Sequence, residues 1–453
     1  KGENFKSEYL IEAVDKGSIC YVAENIIKGG SAHKPSVIIV KDIRKAMAVL
    51  SKAVYFPDET KMKIIGITGT KGKSTTIYML KTIFNEYLKG MGKSNCAFIS
   101  GIEIDDGTGL LEAELTTPET IDLYKHIATA VKLKKEFMII EVSSQALKYG
   151  RCDYLSFDIS GFLNISHDHI SPKEHPDFED YYNSKIKIFD VSKSTWMNSD
   201  SIYFDKLLSY ASQQCEVNTY GKAETDKVKL VEFSETIESL NMKVDINGEI
   251  LNLNVSIGGE FNVSNVLCAI SIAYKCNIPF RVIANALNKV YVPGRMEIFK
   301  AENDKIIVIV DFAHNSISYE KMFQHVKKNY PNRKIAITFG CRGEKALNRR
   351  KDLGEISSKY ADRIYLVPNI PRNEDYREIS KETQGYMHPG PEIIEMLDSR
   401  EEGILKALKG AKDSNENWVV LVLGKGREKY KKLGSKEEDT NDYEVVKELL
   451  QSI

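Results

Sequence analysis

The chain lacks an excess of either charge. Its 63 Lys and Arg stand against 64 Asp and Glu, a formal net charge of −1. Proteins that coat nucleic acid or dock on anionic membranes carry a basic surplus, so no nucleic acid partner is expected. No apolar run reaches the ~18 residues of a membrane helix and no signal peptide is visible, which predicts no membrane insertion and a cytoplasmic location. Cysteine is sparse. The seven, at 20, 96, 152, 215, 268, 276 and 341, are odd in number and include no C-x-x-C. That excludes a disulfide framework and a thiolate zinc site, and it fits a reducing compartment. No internal repeat is present. Position 1 is Lys rather than Met, and the first structural unit is short for an independent domain, so a clipped start is expected.

What is present reads as α/β. A hydrophobic fraction of 42% supports real cores, and 453 residues imply about three domains. Short β-like runs alternate with helical patterns. In residues 1–62, Ser18–Glu24 and Ser36–Val40 read as strands, with a helix from Ile43 to Lys52. From 63 to 293, Lys63–Thr68 is a strand entering a Gly-rich loop. Ser74–Lys89 follows as a helix with Ile77, Leu80, Phe84 and Leu88 on one face. Phe137–Ser144 and Ile159–Ser166 read as buried strands. Val228–Val255 alternates around Asn247-Gly248, a hairpin turn. Asn262–Tyr274 and Phe280–Val290 read as helices. Pro293-Gly294 marks a boundary, and 294–453 adds strands at Ile306–Phe312, Lys334–Phe339, Arg363–Val367 and Trp418–Leu423. The charged stretch Lys425–Asp442 reads as a solvated loop and helix face.

Gly66–Ser74 (GITGTKGKS) has a strand before it and a helix after it. Glycines there let the backbone turn and aim N–H groups at phosphate oxygens. Lys73 can reach the terminal phosphates and the Ser74 hydroxyl can ligate Mg²⁺. Ile67 takes the place of the first glycine of the strict pattern. The bland alternative, a Gly-rich surface turn, does not need this strand–helix context. Such a loop names a nucleotide and leaves the reaction open; a P-loop ATPase or switch protein would share it. Glu141 closes FMIIEVSS, and His167, Asp168 and His169 close ISGFLNISHDH. Ligands collect beyond the carboxyl ends of strands in open α/β sheets, and a carboxylate and an imidazole there suit Mg²⁺. Singly, each is an ordinary polar cap. No Ser–His–Asp or Cys–His arrangement is evident.

Ten further blocks follow in order: TTPET (116–120), EVSSQAL (141–147), NISHDH (164–169), YYNSKIKIF (181–189), GEFNVSN (259–265), PGRME (293–297), VDFAHN (310–315), FGCRG (339–343), IPRNE (370–374) and GKGRE (424–428). With them, the chain resembles the Mur ligases, ATP-dependent amide-bond ligases of peptidoglycan precursor synthesis, and among these the members that add the third residue. The resemblance implies three domains: a small N-terminal α/β domain for the UDP substrate (1–62), a central mostly parallel doubly wound P-loop domain (63–293), and a Rossmann-like C-terminal domain for the amino acid (294–453). It implies that a substrate carboxylate attacks the γ-phosphate of ATP, and that the incoming amine then expels phosphate from the acyl phosphate. Such chemistry needs positioning and charge neutralisation more than a covalent nucleophile. The partners implied are UDP-N-acetylmuramoyl-L-alanyl-D-glutamate and a free amino acid, acted on by a monomer.

Residue roles follow from the same resemblance. Gly69, Thr70, Lys71, Gly72, Lys73, Ser74 and Thr75 would cradle ATP. Ser74, Glu141 and His169 would hold two Mg²⁺ ions together with Lys185, carbamylated by CO₂, since a carbamate is an anionic oxygen ligand where an ammonium would be repelled. Read alone, Lys185 is a surface helix lysine in a run with Lys187 and Lys193. Lys73, Glu141, His169 and Lys185 form the implied catalytic set. Asn262, Asn265, Arg295, Asp311 and His314 would complete the nucleotide site, with Arg295 on the hinge. Thr116, Thr117, Ser143 and Arg151 would meet the muramoyl substrate; their bland readings are a loop turn and a solvated Arg. Arg372, Gly424 and Glu428 would meet the amino acid.

The chain departs from the family pattern where the amino acid is chosen. Asn369-Ile370-Pro371-Arg372 stands where diaminopimelate-adding members have Asp-Asn-Pro-Arg, Arg427 replaces a His, and Arg342 replaces a Gly. meso-Diaminopimelate, L-lysine and a similar amino acid all remain open. A Mur-like ligase for another carboxylate, of folylpolyglutamate or cyanophycin type, is the neighbouring alternative.

Overall fold

The computed structural model describes residues 5–27, 35–56, 61–168, 170–171, 174–344, 346–431 and 439–452. Among them, strands form two large sheets and two small pairs. The first pair joins Cys20–Ala23 and Ser36–Ile39 in parallel, flanked by the helices Glu8–Asp15 and Ile43–Tyr55. Asp42 starts the second helix by accepting from the backbone N–H of Arg44 and Lys45. That helix packs on Thr120–Lys132 of the next unit.

The central sheet has eleven strands. Six run parallel through its middle in the spatial order Glu216–Gly221, Ser194–Asn198, Ile159–Phe162, Lys63–Thr68, Phe137–Glu141, Ala97–Ile99. Their apolar side chains are buried on both faces, so they read as continuous hydrophobic runs rather than alternating ones. Val228–Glu235 continues the parallel run beyond Glu216–Gly221, and antiparallel strands then extend both edges: Leu240–Ile246 and Glu249–Val255 at one, Glu103–Asp105 and Leu110–Glu112 at the other. The turn between Leu240–Ile246 and Glu249–Val255 holds Asn247 at φ +52° and Gly248 at φ +93°, the geometry that an Asn-Gly hairpin favours. Lys63–Thr68 lies between strands that come later in sequence, so the loop leaving it opens into the central crevice. The helix Lys73–Gly90 starts there and is sheathed by Val263–Lys275 and Phe280–Leu287.

The C-terminal sheet runs Glu297–Ala301, Ile306–Asp311, Trp418–Leu423, Lys334–Phe339, Arg363–Leu366, Ile393–Met396. Its first strand is antiparallel and the rest are parallel. The two outer strands escaped the sequence reading. Ile393 and Met396 are exposed, and neither edge carries a buried apolar run.

The reading of Lys425–Asp442 as a solvated stretch is corrected at both ends. Lys425 and Asp442 are buried. Asp442 takes Arg400 Nε at 2.8 Å and Nη2 at 2.6 Å, and Arg400 also donates to the Leu423 carbonyl. Charge marks solvent only where no partner folds onto it. All seven cysteines are free thiols. Among the described residues, no helix is long and apolar enough to cross a membrane.

Candidate active site

The loop after Lys63–Thr68 is braced from three sides. Asn164 accepts the Lys71 N–H at 2.9 Å, donates to the Lys71 carbonyl at 3.1 Å, and takes the Thr70 N–H on its own carbonyl. Thr70 Oγ1 lies 2.9 Å from the Tyr181 hydroxyl and accepts the Ser166 N–H. Gly72 stands at φ +85°, and a Cβ there would lie 2.0 Å from Asn265 Oδ1. Asn265 donates to Asn262 Oδ1, which in turn donates from Nδ2 to the Gly258 carbonyl. Gly72→Ala combines a collision with a left-handed backbone. It is expected to weaken ADP binding on the order of 10–100-fold in a calorimetric titration; affinity within about threefold of the parent would show that the loop can move aside.

Two amines meet on one carbonyl in this loop. Lys73 Nζ donates to Gly69 O at 3.0 Å and to Thr70 O at 3.3 Å, and Lys185 Nζ donates to the same Gly69 O at 3.0 Å. Lys185 is 1% exposed, and its amine lies 5.0 Å from the Tyr181 ring centre. Burial, then the Lys73 charge, pushes its ammonium well below the ordinary lysine range; Asp168 and Glu141 oppose this. Lys185 is therefore no surface lysine. Glu141 is buried at the end of Phe137–Glu141. It accepts Ser74 Oγ at 2.9 Å and the Gly101 N–H at 2.8 Å on one oxygen. Thr75 is buried in the first turn of the helix. His169 lies outside the described residues.

A hydroxyl and a carboxylate facing one spot are an oxygen donor set that suits Mg²⁺. Among the described residues, no cluster of three His, Cys, Asp or Glu side chains could hold a metal. A Mg²⁺ ion here would need further oxygens, from phosphate or from a modified Lys185.

Asp168 joins the central unit to the C-terminal one. It takes Lys71 Nζ at 3.0 Å, Arg349 Nη2 at 3.1 Å and Asn315 Nδ2 at 3.1 Å. Burial lowers the Lys71 ammonium to about 8 against the pull of Asp168. Arg349 starts the helix Asn348–Tyr360 and Asn315 caps Ser316–Asn329. Neither was singled out as a site residue. Arg349 sits in the basic run Arg349-Arg350-Lys351, where nothing local marks its partner, whereas Asn315 closes the VDFAHN block. His314 donates from Nδ1 to the Phe312 carbonyl at 2.8 Å. Burial, then Lys71 and Arg349, holds its ring well below the ordinary histidine range. Arg295 donates to the Gly294 carbonyl and lies 4.5 Å over the Phe312 ring. Asp311 accepts the N–H groups of Met296 and Ala313, and burial raises its carboxyl although Arg295 opposes. A cleft of about 660 Å³ opens at this hinge, with Gly258, Val292, Arg295 and Met296 in its wall.

Beside Glu141, Thr117 Oγ1 donates to the Glu141 carbonyl at 2.7 Å and accepts the Ser143 N–H at 3.0 Å. Ser143 caps the helix Ser144–Lys148. Arg151 donates to the Thr117 carbonyl and to Glu119; it is buried rather than solvated. Thr116 Oγ1 lies against Gly101. The three amino-acid candidates gather at the carboxyl ends of the C-terminal strands. Gly424, at φ +104°, donates to the Asp311 carbonyl and faces the Asn369 amide. Glu428 takes Arg342 Nη2 on both oxygens at 2.7 and 2.8 Å. Arg372, at φ +58°, is 3.8 Å from Glu344. Arg427 instead turns to Glu297 and the Tyr443 ring.

Residues 67–273 match the family profile of the Mur ligase middle domain, and 294–426 that of the Mur ligase glutamate ligase domain. UDP-N-acetylmuramoyl-L-alanyl-D-glutamate--L-lysine ligase of Enterococcus faecalis is 36% identical over 444 residues, 97% of this chain and 85% of that protein. The chain belongs to the Mur ligase family. Another Mur ligase, the 2,6-diaminopimelate ligase of Caldanaerobacter subterraneus, is 30% identical over 99% of this chain and 90% of its own length. Among solved structures, a 2,6-diaminopimelate ligase aligns with a TM-score of 0.64 at 21% identity over 98% of this chain and 89% of that one. Folylpolyglutamate synthase of Mycobacterium tuberculosis aligns with a TM-score of 0.69 at 13% identity over 84% of this chain and 92% of its own. At those identities the likeness is one of fold: the three-part α/β architecture is that of the Mur ligases.

Proposed function

We propose that this Mur ligase joins an amino acid to UDP-N-acetylmuramoyl-L-alanyl-D-glutamate, forming ADP and phosphate through an acyl phosphate, in peptidoglycan precursor synthesis. The observation that carries this reading is the meeting of Ser74, Glu141 and a wholly buried Lys185 on the phosphate loop. The names of the relatives supply the substrate.

In this reading the substrate carboxylate attacks the γ-phosphorus and the bond to ADP breaks. The amine then attacks the acyl carbon, phosphate leaves, and the amine proton passes to solvent. Lys73 turns from the loop carbonyls to the β- and γ-phosphates, and the loop N–H groups of Gly69–Ser74 cradle them. The neutral amine of Lys185 attacks CO₂ and releases a proton, leaving a carbamate. Ser74, Glu141, His169 and that carbamate would hold two Mg²⁺ ions, which neutralise phosphate charge when bound. Asn262, Asn265, Arg295, Asp311 and His314 line the adenosine side. Thr116, Thr117, Ser143 and Arg151 orient the dipeptide carboxylate. Arg349 comes from the other domain to the migrating phosphoryl group. Residues 1–62 take the UDP end, 63–293 ATP and 294–453 the amino acid. The enzyme works as a monomer in the cytoplasm.

Phosphate release tests the whole reading. It is expected only when ATP, the UDP-muramoyl-dipeptide and an amino acid are all present. Equal ADP formation without the last two would make the protein a P-loop ATPase. A panel of L-lysine, meso-diaminopimelate and L-ornithine then identifies the amino acid. Arg372→Ala is expected to raise the amino-acid KM about 10–100-fold, the cost of one charge-assisted contact, and to leave the ATP KM alone. Equal rises in both would remove Arg372 from the selector.

A further inference from the structure

A chain of side chains centred on a buried histidine, outside every residue assigned so far except by adjacency, links the segments that carry Glu141 and Lys185. His175 is completely buried. Its Nε2 lies 3.0 Å from Ser144 Oγ and its Nδ1 2.6 Å from Asp180 Oδ2. Lys148 closes the group by donating to Asp180 Oδ2 at 2.7 Å and to the Glu174 carbonyl at 3.0 Å.

The atoms run serine, imidazole, carboxylate, the order used for nucleophilic catalysis. Burial argues against that use. Ser144 is 5% exposed and His175 0%, so no substrate carbonyl reaches the hydroxyl. What the chain does is join two elements. Ser144 opens the short helix Ser144–Lys148, three residues beyond Glu141 and next to Ser143. Asp180 lies in the helix Phe178–Ile186, five residues before Lys185. The His175 ring also stands edge-on to Tyr181, 5.2 Å between centres, and the Tyr181 hydroxyl meets Thr70 of the phosphate loop. In the neutral tautomer the Nδ1 proton goes to Asp180, and Nε2 accepts from the Ser144 hydroxyl. Both ring nitrogens are then used, one on each element.

We propose that His175 is a positioning residue that fixes the Lys185 helix against the Glu141 turn, and so sets the distance at which a carbamate on Lys185 faces Glu141. This rests on the metal-site reading given above. A rigid imidazole with two directed bonds holds two backbones in register in a way that an apolar contact does not. The arrangement also explains a second feature. Lys148 neutralises the Asp180 carboxylate next to the imidazole, so the group is held by hydrogen-bond geometry and adds little net charge beside Lys185.

The test uses the full chain. His175→Ala is expected to lower kcat about 10–100-fold, with the ATP KM within about threefold. Carbon-13 NMR with labelled bicarbonate gives a readout independent of turnover: the carbamate resonance should weaken in His175→Ala and recover at high bicarbonate. His175→Asn keeps a donor for Asp180 and His175→Gln keeps a group for Ser144, so each should fall between the alanine variant and the parent. They carry the test if the alanine variant does not fold. A full carbamate signal and unchanged kcat in the His175 variants overturn the inference. Absence of the signal in the unsubstituted protein, with Lys185→Ala fully active, instead overturns the metal-site reading itself.

Discussion

Lys185→Ala is expected to cut turnover about 100- to 1,000-fold, the size of effect seen when one charge-stabilising group is removed from an active site. ADP binding should stay near its original strength. The argument starts from cost. A lysine amine kept 1% exposed beside Lys73 is destabilised as an ammonium by desolvation and by like charge. A side chain with that cost and, among the described residues, no anionic partner within hydrogen-bond reach is better explained as the precursor of an anion than as a structural cation. Its sole direct acceptor there is a backbone carbonyl that Lys73 shares. Added short carboxylates should restore part of the activity of Lys185→Ala, because they can fill the space of the lost carbamate. Unchanged turnover in this variant would remove the carbamate from the mechanism.

Arg349→Ala should lower kcat about 100-fold or more while moving the ATP KM little. Arg349 reaches the phosphate loop only because the C-terminal unit lies over it: Asp168 holds Arg349 and Lys71 together. A carboxylate here pairs with two cations that could otherwise serve phosphate oxygens. When phosphate arrives, the same cations have a more highly charged partner. Arg349→Lys should recover only part of the loss, since an ammonium is a point charge and cannot reproduce the planar fork. Turnover within about threefold of the parent would reduce Arg349 to an interdomain brace. Stopped-flow measurement of the phosphoryl-transfer step separates these outcomes from slow product release.

The parts of the site that were legible in the sequence are the ones coded locally. The phosphate loop declares itself through strand, glycines and helix within nine residues, and the Asn247-Gly248 turn through two. Lys185 was legible only through the order of blocks around it. Its own neighbourhood misleads: Lys187 is exposed while Lys185 is buried, because two residues along a helix turn a side chain to the far face. The convergence of Lys71, Asn315 and Arg349 on Asp168 was not legible. These residues lie far apart in sequence, and no local pattern says which carboxylate a cation will meet. The same limit hid the fate of Asp442, whose partner Arg400 lies on another helix. It also hid the edge strands, whose half-exposed residues pair through backbone groups that composition does not reveal.

The helix Lys73–Gly90 carries a consequence for amide exchange. Its N-terminus presents the phosphate loop, yet Ile77, Met79, Leu80, Ile83, Phe84 and Leu88 are completely buried along its length. Segments packed in this way release their amide protons only when a large part of the fold opens. In deuterium oxide, the body of the helix should therefore be among the last regions to exchange, with or without nucleotide. The loop before it should respond to ligand alone, so that a few glycine and threonine amides report nucleotide occupancy against a silent background.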